Sequence, residues 1–465
     1  MKCPWLPLDQ LSTWAAFNNV ELRGTTVTSS VKDELGNDKG GGLFTTEKHE
    51  SGGVLLVVPR GLVLSREGVE QWAKADQRLR ELLDATAALT QKTRLLIMTF
   101  LVYQTTIAGS EESHQAPAAP GPLTDYVKFL PKKIILPTFY SEEERQLLLG
   151  TSLEDALEQK LSSLEKEFNH LRAATESISW CHKLWWNDES GDLQFEDWKL
   201  ADAMYRSRAL ELPKGLGESM VPVVDMANHS YSYNARFEVD SNGDANLVVR
   251  DGVIIPAGTE ITVIYGCGGA CEMLFSYGFL DHSVTSAREM FLNLVMPEDD
   301  PLRAAKIQYA AAAPGVRLFE DQNGQMGWES DFVWWACVNE EDGLEFTVLQ
   351  AYGEQQELKV FWKGRPFEAQ ELQTILMADS LRDIFVLRAT VLILQRVEDQ
   401  GVKLADSEDR CEQAHNSPGL QPDTWNQIRK LRGLELDLLQ RAYQSLEAQK
   451  AQLLKKDVVR RYLSN

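Results

Sequence analysis

The sequence predicts an α+β chain of small β-sheets interrupted by helices, and three observations carry that prediction. Short β-branched runs bounded by turn residues occur in two separate places, a helical stripe lies between them, and helical periodicity returns past about residue 295. A length of 465 residues suggests two or three domains at about 150 residues each.

The first β run is Val54-Leu55-Leu56-Val57-Val58, with Gly52-Gly53 before it and Pro59 after it, which reads as a buried strand. The second occupies residues 235 to 266. There Arg236 to Val239 alternates, Asn242-Gly243-Asp244 turns, Leu247-Val248-Val249 returns, and Pro256-Ala257-Gly258 precedes Ile261 to Tyr265, a pattern of hairpins. Between the two runs Leu157, Leu161, Leu164, Phe168 and Leu171 recur at helical spacing, whereas Gly109 to Pro122 has no period and reads as an exposed loop. Later, Leu372 to Val397 is apolar nearly all round and Leu439, Tyr443, Leu446 and Leu453 form a seam, with residues 401 to 423 expected as a solvated loop. The expected domains are therefore 20–285, with a helical insertion over about 66–200, and a mainly helical C-terminal domain over 295–465.

Composition narrows the function. With 47 Lys+Arg against 69 Asp+Glu the net charge is −22, so the basic footprint of a nucleic-acid binder is missing and a basic, Lys-rich protein partner is favoured. The six cysteines at 3, 181, 267, 271, 337 and 411 lack paired zinc-site spacing and disulfide-framework density. The expectation is a reduced, cytoplasmic or nuclear monomer with no metal, no membrane span and no leader peptide.

Chemistry concentrates in Val221 to Ser230, where an apolar run ends in Asp225-Met226-Ala227-Asn228-His229-Ser230. Downstream stand Tyr265-Gly266 and Tyr277-Gly278-Phe279, aromatic rings beside backbone that glycine lets turn sharply. Read alone, Asn228-His229-Ser230 is equally a strand-end turn with a satisfied core histidine.

Together these segments resemble the SET-domain protein methyltransferases of the Rubisco large-subunit methyltransferase branch. The ordered matches are Gly40-Gly41-Gly42-Leu43, Val57-Val58-Pro59, Thr124-Asp125-Tyr126 through Leu130-Pro131, Ser207-Arg208, Asp225 to Ser230, Ile264-Tyr265-Gly266 and Phe275 to Phe279. The resemblance covers roughly residues 20 to 285, with a looser match onward. It implies a SET fold of small curved sheets with a pseudoknot, split by a helical insertion and followed by a helical substrate-binding-like domain.

The resemblance further implies S-adenosylmethionine as donor and protein lysine as acceptor, possible ribosomal substrates included. Gly40 and Gly42 would let backbone approach the donor, with Leu43 and Asp225 in the same site. Arg208 would meet its carboxylate through a planar fork, and Asn228 and His229 would hold its methionine part. Tyr265 matches the catalytic tyrosine, and Tyr277 and Phe279 resemble residues that wall the lysine channel as well as touching the donor. Leu210 stands where the histidine-methylating branch has asparagine, which favours lysine. One departure is the glycine-rich Cys267 to Cys271 stretch after the catalytic Tyr-Gly, where the family is polar. The competing readings are a non-catalytic peptide-binding module on the same fold, and histidine as acceptor.

Overall fold

The computed structural model describes residues 3–32, 36, 38–110, 116–187, 191–266, 268–310, 312–349, 357–415 and 420–464. They form two compact units, Met1–Phe139 with Glu158–Cys267, and Tyr140–Leu157 with Gly268–Asn465.

In the first unit the strands are β1 (Glu21–Leu22), β2 (Thr25–Lys32), β3 (Asp38–Thr45), β4 (Val54–Val58), β5 (Leu210–Leu212), β6 (Gly217–Ser219), β7 (Asn228–His229), β8 (Ala235–Val239), β9 (Ala245–Val249) and β10 (Glu260–Val263). They make two four-stranded sheets, β1-β4-β9-β8 and β2-β3-β10-β7, and a β5-β6 hairpin. The predicted strand is β4, whose Leu55, Leu56 and Val58 are fully buried.

The hairpin reading of residues 235–266 holds for β8 and β9, whose turn is closed by Asp240 Oδ1 accepting from the N–H groups of Asn242 at 2.7 Å and Asp244 at 3.0 Å. It does not extend to β10, which leaves for the other sheet. The turn at Pro256 to Gly258 is pinned there by Thr45 Oγ1 donating to the Pro256 carbonyl at 2.6 Å, and β10 then pairs antiparallel with β3 and parallel with β7. The glycine triplet lies inside β3 rather than in a loop, because β2 supplies ladder partners to Gly40 and Gly42 across an irregularity in register.

Helices fill the insertion between β4 and β5. Thr93–Ser110 is its buried spine, with Ile97, Met98, Phe100 and Tyr103 fully buried, and the predicted stripe lies on Ser152–Thr175. Of the loop expected over 109–122, residues 111–115 lie outside the described residues, 116–121 lack regular structure and Pro122–Tyr126 is helical. Phe195–Arg208 carries the fully buried Asp202, on which three cations converge: Arg94 Nη1 at 2.7 Å, Lys160 Nζ at 2.6 Å and Arg206 Nε at 3.3 Å. Arg94 also pairs with Glu167.

In the second unit helices Arg382–Asp406 and Pro422–Leu453 pack together, with Glu408–His415 between them in sequence. The loop expected over 401–423 is therefore largely helix, with residues 416–419 outside the described set. Its charged residues lie on solvated helix faces, while Ser407 and Cys411 are buried and Arg432 donates to the carbonyls of Leu149 at 2.6 Å and Leu404 at 2.9 Å. The same helix carries the buried Glu435, which accepts from Ser152 N at 3.0 Å and Ser152 Oγ at 2.5 Å. Two small antiparallel sheets also lie in this unit, β11 (Glu289–Asn293) with β12 (Gly315–Glu320) and β13 (Met326–Glu329), and β14 (Leu344–Leu349) with β15 (Glu357–Trp362) and β16 (Arg365–Pro366). Among the described residues no helix is long and apolar enough to cross a membrane.

Candidate active site

The site is assembled where the buried run Val221–Val224 breaks. Val223 takes φ +71, a backbone conformation costly for a β-branched residue, and Asp225-Met226 forms a short turn before the chain enters β7. Parallel pairing sets Asn228 beside Thr262 and His229 beside Val263, and Ser230 N–H extends the ladder to the Val263 carbonyl at 3.1 Å.

That register brings Tyr265, two residues past β10, back over His229. Tyr265 N–H donates to His229 Nδ1 at 3.2 Å, the ring centroids are 5.4 Å apart, and Tyr265 OH donates to the Ala227 carbonyl at 2.9 Å. The tyrosine is thus held at both ends, by the histidine ring and by the turn before β7. Asn228 reaches the other way. Its Nδ2 donates to the Gly41 carbonyl at 3.0 Å and to Glu260 Oε1 at 2.8 Å, while Glu260 Oε2 pairs with Lys39 Nζ at 3.0 Å.

Of the two glycines predicted to matter, each has a different physical reason. A Cβ on Gly42 would stand 2.6 Å from Val31 Cγ2 and 3.1 Å from Asn228 Nδ2, so the absent side chain makes room for Asn228 itself. Gly40 has φ +82 and open space around the missing Cβ. Leu43 is fully buried and pairs with Ile261.

Arg208 ends its helix facing Asp225. Its Nη1 donates to the Asp225 carbonyl at 3.0 Å and to Oδ2 at 2.9 Å, and Tyr126 OH donates to the same Oδ2. Burial opposes the charge on Arg208, but Asp225 and Tyr126 outweigh it and hold the guanidinium pKa above its ordinary value. Burial first, and then the Asp225 charge, push the Tyr126 hydroxyl well above its usual range, which keeps it a donor. Among the described residues Arg208 Nε and Asp225 Oδ1 are buried without a hydrogen-bond partner. One spare donor beside one spare acceptor fits an amino-acid head group bearing both an anionic and a cationic end.

Leu210, two residues past Arg208, is half-buried in β5 against the core of this unit. Tyr277 and Phe279 belong to the second unit, around the left-handed Gly278 (φ +82) that ends the helix Ala270–Tyr277. Burial, with Glu272 adding to it, pushes the Tyr277 hydroxyl up to about 12. Cys267 lies outside the described residues, and burial, then Glu435, pushes the Cys271 thiol up to about 12, so it is protonated at neutral pH. Among the described residues no group of three or more His, Cys, Asp or Glu side chains is placed to hold a metal ion.

The sequence reading missed three members of this arrangement: Glu260, the Ala227 carbonyl, and the Tyr126 hydroxyl, whose segment was matched without a role for that residue. The matches Thr124-Asp125-Tyr126 and Asp225 to Ser230 cover Tyr126 and Ala227, whereas no match covers Glu260.

The fold is the SET fold. No family model matches the chain. In sequence it is 27% identical over 364 residues to "SET domain-containing protein 8" of Schizosaccharomyces pombe, covering 77% of this chain and 79% of that protein. It is 24% identical over 381 residues to "N-lysine methyltransferase setd6" of Xenopus laevis, covering 77% of this chain and 73% of that one. In three dimensions it superposes on the crystal structure of the SET domain of LSMT bound to lysine and AdoHcy with a TM-score of 0.65 at 16% identity, over 98% of this chain and 94% of that chain. The neighbours are therefore those of the Rubisco large-subunit methyltransferase branch that the motifs resemble.

Proposed function

We propose that this protein is an S-adenosylmethionine-dependent protein-lysine N-methyltransferase. The observation that carries the reading is that Tyr265, His229, Asp225 and Arg208 gather around the turn Asp225 to Asn228, with Arg208 Nε and Asp225 Oδ1 left without a hydrogen-bond partner. When bound, S-adenosylmethionine supplies an electrophilic methyl group on a sulfonium sulfur.

The chain's own part is positional. Arg208 and Asp225 orient the amino-acid end of the donor, and Asn228 ties the glycine strand to β7 so that both edges of the site keep their spacing. Tyr265 is fixed by His229 and by the Ala227 carbonyl, so its hydroxyl needs no reorganisation when the acceptor arrives. A lysine amine has a reference pKa of about 10.4, and an apolar, water-poor approach favours the neutral form that carries the attacking lone pair. Tyr277 and Phe279 are the residues we assign to that approach, and Leu210 favours lysine as acceptor. The charge of −22 supports a basic protein substrate, ribosomal proteins being the class we favour. Localisation in cytoplasm or nucleus is part of the same reading, supported by free cysteines at 181, 271, 337 and 411.

The test is transfer of labelled methyl from S-adenosylmethionine to purified ribosomal proteins and to a whole-cell lysate, with Tyr265→Phe alongside. Label on lysine, falling by about a hundredfold in the variant, is expected. Absence of labelled lysine with the parent protein, or equal labelling by the variant, would overturn it. Calorimetry showing peptide binding without donor binding would instead support a non-catalytic module.

A further inference from the structure

Tyr126 is contributed by the insertion and lies 99 residues before its partner Asp225. Its ring is fully buried against Trp14, with centroids 5.7 Å apart, and Trp14 Nε1 donates to the Pro122 carbonyl at 3.0 Å. The short helix that carries it is pinned a second time. Gly121 N–H donates to Thr124 Oγ1 at 3.0 Å, and Thr124 Oγ1 donates to Gln104 Oε1 at 2.6 Å, which ties the segment to the buried spine helix Thr93–Ser110. A phenol anchored this firmly has one polar atom to place, and it places it on Asp225 Oδ2, the oxygen that also receives Arg208 Nη1.

We propose that Tyr126 is a positioning residue for the donor site: by holding Asp225 Oδ2 from the insertion side, it fixes the rotamer of Asp225 and thereby the direction in which Arg208 presents its remaining N–H groups. The physical reason is the competition for one carboxylate. Without the phenol, Asp225 is free to turn its second oxygen, now unpartnered, toward Arg208 and close a two-pronged pair, the geometry that guanidinium and carboxylate prefer. That pairing would occupy the donor groups a ligand carboxylate needs. The hydroxyl of Tyr126 therefore keeps the pair one-pronged, which makes donor affinity depend on the folding of the short segment Pro122–Tyr126, far from Asp225 in sequence.

This rests on the donor-binding reading above, and the experiment separates the two. Binding of S-adenosylmethionine and of S-adenosylhomocysteine is measured by calorimetry for the parent, Tyr126→Phe, Asp225→Asn and the double variant, with thermal melting of each. The expected result is a loss of donor affinity of about tenfold in Tyr126→Phe, a similar loss in Asp225→Asn, and a double variant no weaker than the weaker single one, because both act through one carboxylate. The maximal rate at saturating donor should fall less than the affinity does. Parent-like affinity in Tyr126→Phe, or losses that multiply in the double variant, would overturn the proposal. If Tyr126→Phe does not fold, Thr124→Val takes its place, since it loosens the Tyr126 segment from Gln104 while leaving Asp225 and Arg208 in place, and parent-like donor affinity in that variant would overturn the proposal. No donor binding by the parent would overturn the donor-site reading and this proposal with it.

Discussion

Two buried carboxylates, one in each unit, solve the same problem in opposite ways. Asp202 in the first unit is surrounded by Arg94, Lys160 and Arg206, so its charge is met by charges. Glu435 in the second unit is met by the N–H and hydroxyl of Ser152, with Arg432 one helical turn earlier contributing a weaker attraction. Neutral donors do not repay the desolvation of an anion, and burial pushes the Glu435 carboxyl up to about 7. The lesson is where each unit can tolerate a change of charge: the helix that leads to Arg208 is locked by ion pairs, whereas the helix carrying Glu435 is anchored to Ser152 by a group able to take up a proton near neutrality.

The sharpest way to break this contrast is Asp202→Ala, which leaves three cations around a hole. The expected loss is about 3–5 kcal/mol of stability, seen as a lower denaturant midpoint, since three part-buried cations lose the carboxylate they share while Arg94 keeps its pair with Glu167. A loss below about 1 kcal/mol would show that the cations escape to solvent.

Glu435 predicts a smaller and pH-dependent effect. Its folded pKa of about 7 stands above its ordinary 4.5, so the folded chain holds a proton that the unfolded chain releases across this window. The stability this confers is present below about 4.5 and is lost as pH rises toward 7, amounting to about 3 kcal/mol at full extent. Melting temperature measured from pH 5 to 8 should therefore fall more steeply in the parent than in Glu435→Gln; identical slopes would remove Glu435 as the cause. At the far end of the scale stands the exposed pair Arg78–Glu81, at 3.0 Å. Arg78→Ala should shift stability by less than about 0.5 kcal/mol, because solvent screens the pair, and a larger shift would show that surface charges matter more here than the buried hubs suggest.

The elements that could be read from the sequence followed physical locality. β4 announced itself as five apolar residues between turn signals, and the Leu157 to Leu171 stripe emerged as part of Ser152–Thr175. Asn228, His229 and Tyr265 stood out through the ordered motifs they belong to and not through locality, since the pairing of β7 with β10 that brings them together joins segments far apart in the chain. Glu260 did not, since its role depends on β10 abandoning its hairpin neighbours for β3, a choice made by long-range packing. The Tyr126–Asp225 contact was hidden for the same reason, whereas the strand Leu344–Leu349 of the second unit, whose residues 344 to 348 alternate apolar and polar, was a period-two signal overlooked beside the long helices. Residues 401–415 misled in the opposite direction: their charges read as a loop but decorate the outer faces of two helices.

The side-by-side alignment of Asn228–His229 with Thr262–Val263 has a consequence for biogenesis. The whole β8-β9 excursion must be made and passed before the second strand can slide in beside the first, so a chain still short of residue 265 has neither the tyrosine nor the ladder that orients His229. Pairings of this non-local kind form slowly, and the pocket is completed late. A nascent polypeptide that stops before residue 265 therefore lacks the phenol that the Ala227 carbonyl and the His229 ring hold in place.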